Sequence, residues 1–232
     1  MEKRRWNPVV GCMHECSYCW ARRLAEGRLK RTKRYAEGFK PQFIEKELDR
    51  NFRKGIVFVS DMGDLFGNFI PTEWIKAVLD RISTMKGADF LLLTKNPSRY
   101  LSYPYLIPEN CILGATIESD YCYQEISNAP SQFDRLYWMT KLADLMRIRK
   151  QSGGFAHRLF ISIEPILDFN LESFANMLIN WVKPWAVAVG YDNYGNRLPE
   201  PTLAKTTHLM GLLEKAGITV YRKTIRKAWF EK

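Results

Sequence analysis

Apolar positions along the chain fall into two recurring patterns. Short β-branched and aromatic runs, GIVFVS (55–60), DFLLLTK (89–95), CILGATIES (111–119), RLFISIEPIL (158–167), WAVAVGYD (185–192) and GITVYRKT (217–224), are too brief for helices and read as strands. A further short strand is expected at VVG (9–11). Between them lie segments with apolar residues at helical spacing: PTEWIKAVLDRIS (71–83), SQFDRLYWMTKLADLMRIRK (131–150), LESFANMLINWV (171–182) and PTLAKTTHLMGLLEKAG (201–217). The first carries Pro near its start and the last stops at Gly217, as helix ends do. Strands that alternate with helices predict βαβ units and a mostly parallel sheet. About seven such strands without an evident linker point to a barrel or part-barrel in one domain over residues 1–232, with a doubly wound open sheet as the alternative. Both architectures bind ligands at the carboxyl ends of their strands, so that is where chemistry is expected.

Composition changes this picture only in its charge. The 232 residues are 46% hydrophobic, enough for one sizeable core. No apolar run reaches membrane-spanning length, and MEKRRWNPVV has charge without the apolar stretch of a signal peptide, so a cytoplasmic protein with no membrane partner is expected. The net charge is +10. Part of the excess lies in ARRLAEGRLKRTKR, which puts Arg22, Arg23, Arg28, Lys30, Arg31, Lys33 and Arg34 on or beside one expected helix. Another part is the C-terminal YRKTIRKAWFEK, with Arg222, Lys223, Arg226 and Lys227. Such clusters attract polyanions, or else form a solvated helix face and a basic tail.

The candidate chemistry sits in GCMHECSYCWAR (11–22), where Cys12, Cys16 and Cys19 fall within eight positions. Five cysteines in a chain without a signal peptide disfavour a disulfide framework and point to metal. Cys111 and Cys122 stand apart and read as buried thiols. A tetrahedral zinc site would need a fourth ligand from His14, His157 or His208, since there is no second cysteine pair. A cubic iron–sulfur cluster takes one cysteine per iron, so three cysteines leave one iron open to a substrate or cofactor.

Cys-x3-Cys-x2-Cys with Tyr18 before the last cysteine resembles the signature of the radical SAM superfamily. The succession WNPVVGC, VFVSDMGDLF, LLLTKNPSRY, ILGATIES, FISIEPIL and AVAVGYDNYG is similar to a small phage- and archaea-associated branch of it and, more distantly, to spore photoproduct lyase. The resemblance implies an α/β fold, a partial (β/α)6 TIM-like barrel. It also implies a [4Fe–4S] cluster on Cys12, Cys16 and Cys19, and one-electron cleavage of S-adenosylmethionine to a 5′-deoxyadenosyl radical. It places the methionine end of that cofactor on Asp61, Met62, Gly63 and Asp64, although this turn has a single glycine where the superfamily has two. Thr116 and Glu118 are implied for the ribose side, with a structural salt bridge as the other reading of Glu118. Ser162 and Glu164 share a strand face and, with Lys95, offer groups for cofactor or substrate; Gly190, Asp192 and Tyr18 are implied near the adenine. Cys122 is the candidate hydrogen-atom donor, as a cysteine is in spore photoproduct lyase.

Three functions follow from this reading. The first is a radical S-adenosylmethionine enzyme that modifies or repairs a nucleic acid base, with Arg28, Arg31 and Arg34 on the phosphates of DNA or RNA. It would draw on an external electron donor, and a protein partner would contribute sequence recognition. The second keeps the chemistry but acts on a small molecule or peptide. The third is a zinc- or cluster-stabilised nucleic-acid-binding domain without catalysis.

Overall fold

A computed structural model describes residues 4–232. In chain order the regular elements are β1 (Arg4–Trp6), β2 (Val9–Val10), α1 (Trp20–Glu26), β3 (Gln42–Phe43), β4 (Ile56–Val59), α2 (Thr72–Ser83), β5 (Asp89–Thr94) and β6 (Cys111–Thr116). They continue with α3 (Gln132–Gln151), β7 (Arg158–Ile163), α4 (Leu171–Asn176), β8 (Ala186–Val189), α5 (Leu203–Lys215) and β9 (Thr219–Arg222). Two compact units divide these residues: one runs up to Leu113 and includes Ile126–Ala129, and the other holds Gly114–Glu125 and Pro130–Lys232.

In the first unit the strand order is β1-β4-β5-β6, with β1, β4 and β5 parallel and Val57 facing Arg4 on one side and Phe90 on the other. Burial alternates along β4 and β5, as it should where one face of a strand meets the core. The opening strand is the first departure from the sequence reading. VVG does not enter this sheet: Val9 and Val10 pair antiparallel with Phe43 and Gln42 in a separate two-stranded ribbon. The sheet's first strand is the preceding RRW, anchored by Trp6, which is fully buried against Phe52 and Phe90 and donates its indole N–H to the Glu47 carbonyl at 2.7 Å. Pro8, which lacks a backbone N–H, separates the two strands. The basic helix stops at Glu26 with Gly27 as its C-cap, so Arg22 and Arg23 lie on it and Arg28, Lys30, Arg31, Lys33 and Arg34 beyond it.

In the second unit the order is β6-β7-β8-β9, with β7, β8 and β9 parallel and Phe160, Ala186 and Thr219 in register. Residues of β6 and β8 are buried throughout, the pattern of strands covered on both faces. The longest helix, α3, starts on a capping box in which Ser131 and Asp134 satisfy each other's backbone N–H groups. After α4 the chain widens into a π-helical stretch, Met177–Val182, and stops at Lys183, where Pro184 prevents any continuation. The C-terminal basic segment is partly neutralised: Arg222 pairs with Glu214, and Arg226 grips the buried Glu200 through both Nη atoms at 2.9 and 2.7 Å. Among the described residues no helix is long and apolar enough to cross a membrane.

Candidate functional site

The three clustered cysteines occupy one loop of the first unit between β2 and α1. Its entrance is fixed by Gly11, whose φ of 82° and whose close approach to Lys40 exclude a side chain: a Cβ there would lie 2.0 Å from the Lys40 carbonyl oxygen. Gly11 donates its N–H to the Met62 carbonyl and Cys12 to the Phe39 carbonyl, at 2.8 and 3.0 Å. Cys19 is the N-cap of α1, where its sulfur accepts the Arg22 N–H at 3.3 Å. The Cys12 sulfur accepts the N–H of His14 at 3.4 Å, and the Cys16 sulfur lies 3.1 Å from the Ser127 hydroxyl. All three sulfurs therefore have one hydrogen-bonding neighbour. Cys12 and Cys19 pack against an apolar patch of Val10, Ala21, Ala25, Tyr35, Phe39 and Met62.

Burial, reinforced by the Asp64 carboxylate, pushes the Cys12 thiol well above its ordinary value, and burial also raises Cys19. A neutral, buried thiol is a poor nucleophile, whereas a metal deprotonates it outright. Among the described residues no three His, Cys, Asp or Glu side chains are gathered to hold a single metal ion. A cluster that gives each thiolate its own iron makes no such demand.

Two buttresses hold the loop, and neither is evident in the sequence. The His14 ring Nε2 lies 2.9 Å from Asp64 Oδ2, both groups buried. The same carboxylate accepts the N–H groups of Lys95 at 2.9 Å and Phe66 at 3.0 Å. Burial alone would raise the Asp64 carboxyl, but His14 and these donors outweigh it and hold it below the ordinary value. The second buttress is 126–129: Ser17 donates to the Ile126 carbonyl, Asn128 donates its N–H to the His14 carbonyl at 2.7 Å, and its side-chain amide reaches Glu15. Asp64→Ala removes the acceptor shared by three donors and is expected to cost about 3 kcal/mol or more, about 1 kcal/mol at the least for each unsatisfied group, measured as a lower urea midpoint of the metal-free protein. Unchanged stability would mean that the clamp contributes nothing.

The turn after β4 brings Asp61, Met62, Gly63 and Asp64 beside the cysteine loop, with Gly63 bridged to Gly11. Asp61 is engaged by Asn7 at 2.7 Å and by Arg5 at 3.1 Å, and Met62 donates its N–H to the Asn7 side chain. Ser60, at the head of this turn, adopts φ 54° and is buried, and its hydroxyl has no hydrogen-bond partner among the described residues. A strained backbone carrying an unsatisfied buried hydroxyl is a feature that a polar ligand would relieve. Lys95 donates to the Tyr18 hydroxyl at 2.6 Å and lies 5.1 Å from that ring's centroid.

In the second unit, Thr116 and Ser162 are buried at the carboxyl ends of β6 and β7, and the Ser162 carbonyl accepts the Ile117 N–H. Glu118 is fully buried in an ion pair with Arg135, 2.9 Å from Nη1, and the same Nη1 donates to the Thr116 carbonyl at 2.7 Å. Glu164 is half-buried. Gly190 is required by packing, since a Cβ there would meet the Lys223 side chain at 2.7 Å. Asp192 closes its own turn by accepting both the N–H and the side-chain amide of Asn196 at 2.7 Å. Cys122 is exposed. Of the basic candidates, Arg34 pairs with Glu47 at 3.1 Å, whereas Arg28 and Arg31 are exposed.

A family profile described as "Protein of unknown function (DUF5131)" matches residues 2–191. No curated protein sequence is significantly similar. A spore photoproduct lyase variant aligns with a TM-score of 0.60 at 11% identity, covering 94% of this chain and 75% of that one. Another variant, with bound AdoMet and dinucleoside spore photoproduct, gives 0.54 at 13%, covering 91% of this chain but 61% of its own. A radical SAM methyltransferase from Sphaerobacter thermophilus gives 0.50 at 15%, covering 97% and 66%. In the last two comparisons the chain spans less than two thirds of the longer protein. The fold is the one expected, an α/β partial TIM-like barrel shared with radical SAM enzymes.

Proposed function

We propose, from the premise that this chain belongs to the DUF5131 family, that it is a radical S-adenosylmethionine enzyme acting on a nucleic acid base. The observation that carries the reading is the loop of Cys12, Cys16 and Cys19, three hydrogen-bonded sulfurs set in a fold shared with radical SAM enzymes. Their thiolates would hold three irons of a [4Fe–4S] cluster. When bound, such a cluster would supply the electron for one-electron cleavage of S-adenosylmethionine.

The chain's own residues bind, orient and shield. Burial of Cys16 and partial burial of Cys12 limit water at the sulfurs, and the Arg22 N–H at Cys19 gives a thiolate a hydrogen bond it needs. The His14–Asp64 contact fixes the loop against the turn that would receive the methionine group, with Asp61 and Asp64 shaping that turn and Ser60 offering its unpaired hydroxyl. Tyr18, held by Lys95, presents a ring for an adenine. The polar ends of β6, β7 and β8 at Thr116, Ser162, Glu164, Gly190 and Asp192 are candidates for cofactor contacts, and Glu118 acts through its Arg135 pair. To exposed Cys122 we assign the return of a hydrogen atom to the substrate, which leaves a thiyl radical for an external reductant to restore.

Of the three candidate arginines, exposed Arg28 and Arg31 are the ones available to meet substrate phosphates. A small-molecule or peptide substrate is the second reading, favoured by the internal pairing of Arg34, Arg222 and Arg226. Anaerobic reconstitution should give a brown protein whose spectrum shifts on adding S-adenosylmethionine and which releases 5′-deoxyadenosine on reduction. A colourless protein, or one indifferent to the cofactor, would overturn the enzyme reading. Labelled DNA or RNA should then bind more weakly as salt rises, and Arg28→Gln with Arg31→Gln should flatten that dependence. Binding indifferent to salt would give first place to the small-molecule reading.

A further inference from the structure

Within the second unit, the C-terminal part of α3, the Gly-Gly loop that follows it, and the starts of β7 and β8 enclose a groove of about 490 Å³. Arg147, Lys150, Arg158 and Lys183 line it, and none of its lining residues is an aspartate or glutamate. Two aromatic rings complete the wall, Phe155 at 43% exposure and Trp185 at 36%. Arg158 lies 5.0 Å from the Trp185 ring centroid, a cation–π contact that fixes the ring. Lys183 holds its position at a cost: its φ of 50° is left-handed backbone at a helix end, where glycine or asparagine is the easier residue. The groove sits at the amino ends of β7 and β8, whereas Ser162, Glu164, Gly190 and Asp192 lie at or beyond the carboxyl ends of those strands.

We propose that this groove binds single-stranded nucleic acid, Lys150 and Lys183 meeting phosphates and the two aromatic rings stacking on bases. Arg147 is paired with Asp144, and the cations in excess of that one carboxylate specify an anion but do not separate a phosphate backbone from an acidic peptide. The rings make the separation. Exposed aromatics interleaved with cations are what sequence-tolerant single-strand binding uses, because every base offers a π-face, whereas an acidic peptide gains little from them. The volume is in the range of small-ligand clefts and admits about one nucleotide at a time, with neighbouring phosphates on the rim. The inference does not rest on the radical chemistry, since the groove needs neither cluster nor cofactor.

The test is fluorescence anisotropy with a short labelled oligothymidylate at several salt concentrations, using the full chain. Lys150 and Lys183 are exposed, so Lys150→Gln with Lys183→Gln should leave the melting temperature unchanged. That pair should reduce the salt slope by about 1.4, the loss of two single-strand phosphate contacts. Trp185→Leu should weaken binding about tenfold with the slope preserved, and Phe155→Leu should act in the same direction if the tryptophan variant folds poorly. Release of 5′-deoxyadenosine should be unaffected by all of these, which separates failure of the groove from failure of the enzyme reading. Binding by both variant sets that matches the parent would overturn the proposal. So would displacement of the oligonucleotide by a polyglutamate of equal charge together with an inert Trp185→Leu, a result that would mark a dock for an acidic protein.

Discussion

Cys16→Ala is expected to abolish cluster retention and cofactor cleavage together, and Cys12→Ala and Cys19→Ala to do the same. The reason is the absence of a spare ligand. Cys111, the other buried thiol, opens β6, and Cys122 is exposed in the second unit. His14, the side chain within the loop that might substitute, is already in contact with Asp64 at 2.9 Å. Iron per chain and 5′-deoxyadenosine release after anaerobic reconstitution measure both losses. Cys111→Ala is the control, and it should keep the full iron complement. A Cys16→Ala protein with undiminished iron and product would remove the assignment, and zinc in place of iron in the parent would favour a folding role for the three thiolates.

Arg135→Met is expected to destabilise the protein by about 3–5 kcal/mol, because it leaves the fully buried Glu118 carboxylate without its guanidinium. For a chain of this size that corresponds to a fall of roughly 10 °C in melting temperature. The double replacement Arg135→Met with Glu118→Leu should recover most of the loss, since removing both charges also removes the desolvation penalty. A single variant as stable as the parent would show that the pair is not the fastener its burial suggests. The same proteins address the cofactor: if Glu118 serves only α3 and β6, the double variant should bind S-adenosylmethionine as the parent does.

Much of the architecture is legible in the sequence, for a physical reason. β4 through β9 are runs of large or β-branched residues with few charges, and strands of a sheet with helices on its faces must be such runs. The ends of α2, α3 and α5 are written in Pro71, Ser131 and Gly217. β1 was missed because two of its three residues are arginine, and a single buried tryptophan carries the strand. Local pattern also placed the cysteine loop and its neighbouring turn. It missed the partners that hold them, since His14 and Asp64 are 50 residues apart, and Ser127 is 111 from Cys16. No periodicity links positions at such distances; only the fold brings them together.

The dependence of the thiol loop on 126–129 has a bearing on the order of events during synthesis. Cys16 leaves the ribosome more than a hundred residues before Ser127 can reach it. At ordinary elongation rates that interval is on the order of ten seconds. Throughout it the three sulfurs are carried on a loop that lacks one of its two supports. On the proposed function, metal delivery before the interval closes would meet an unfinished receptor, and a segment that contributes no ligand at all would time the ripening of the protein.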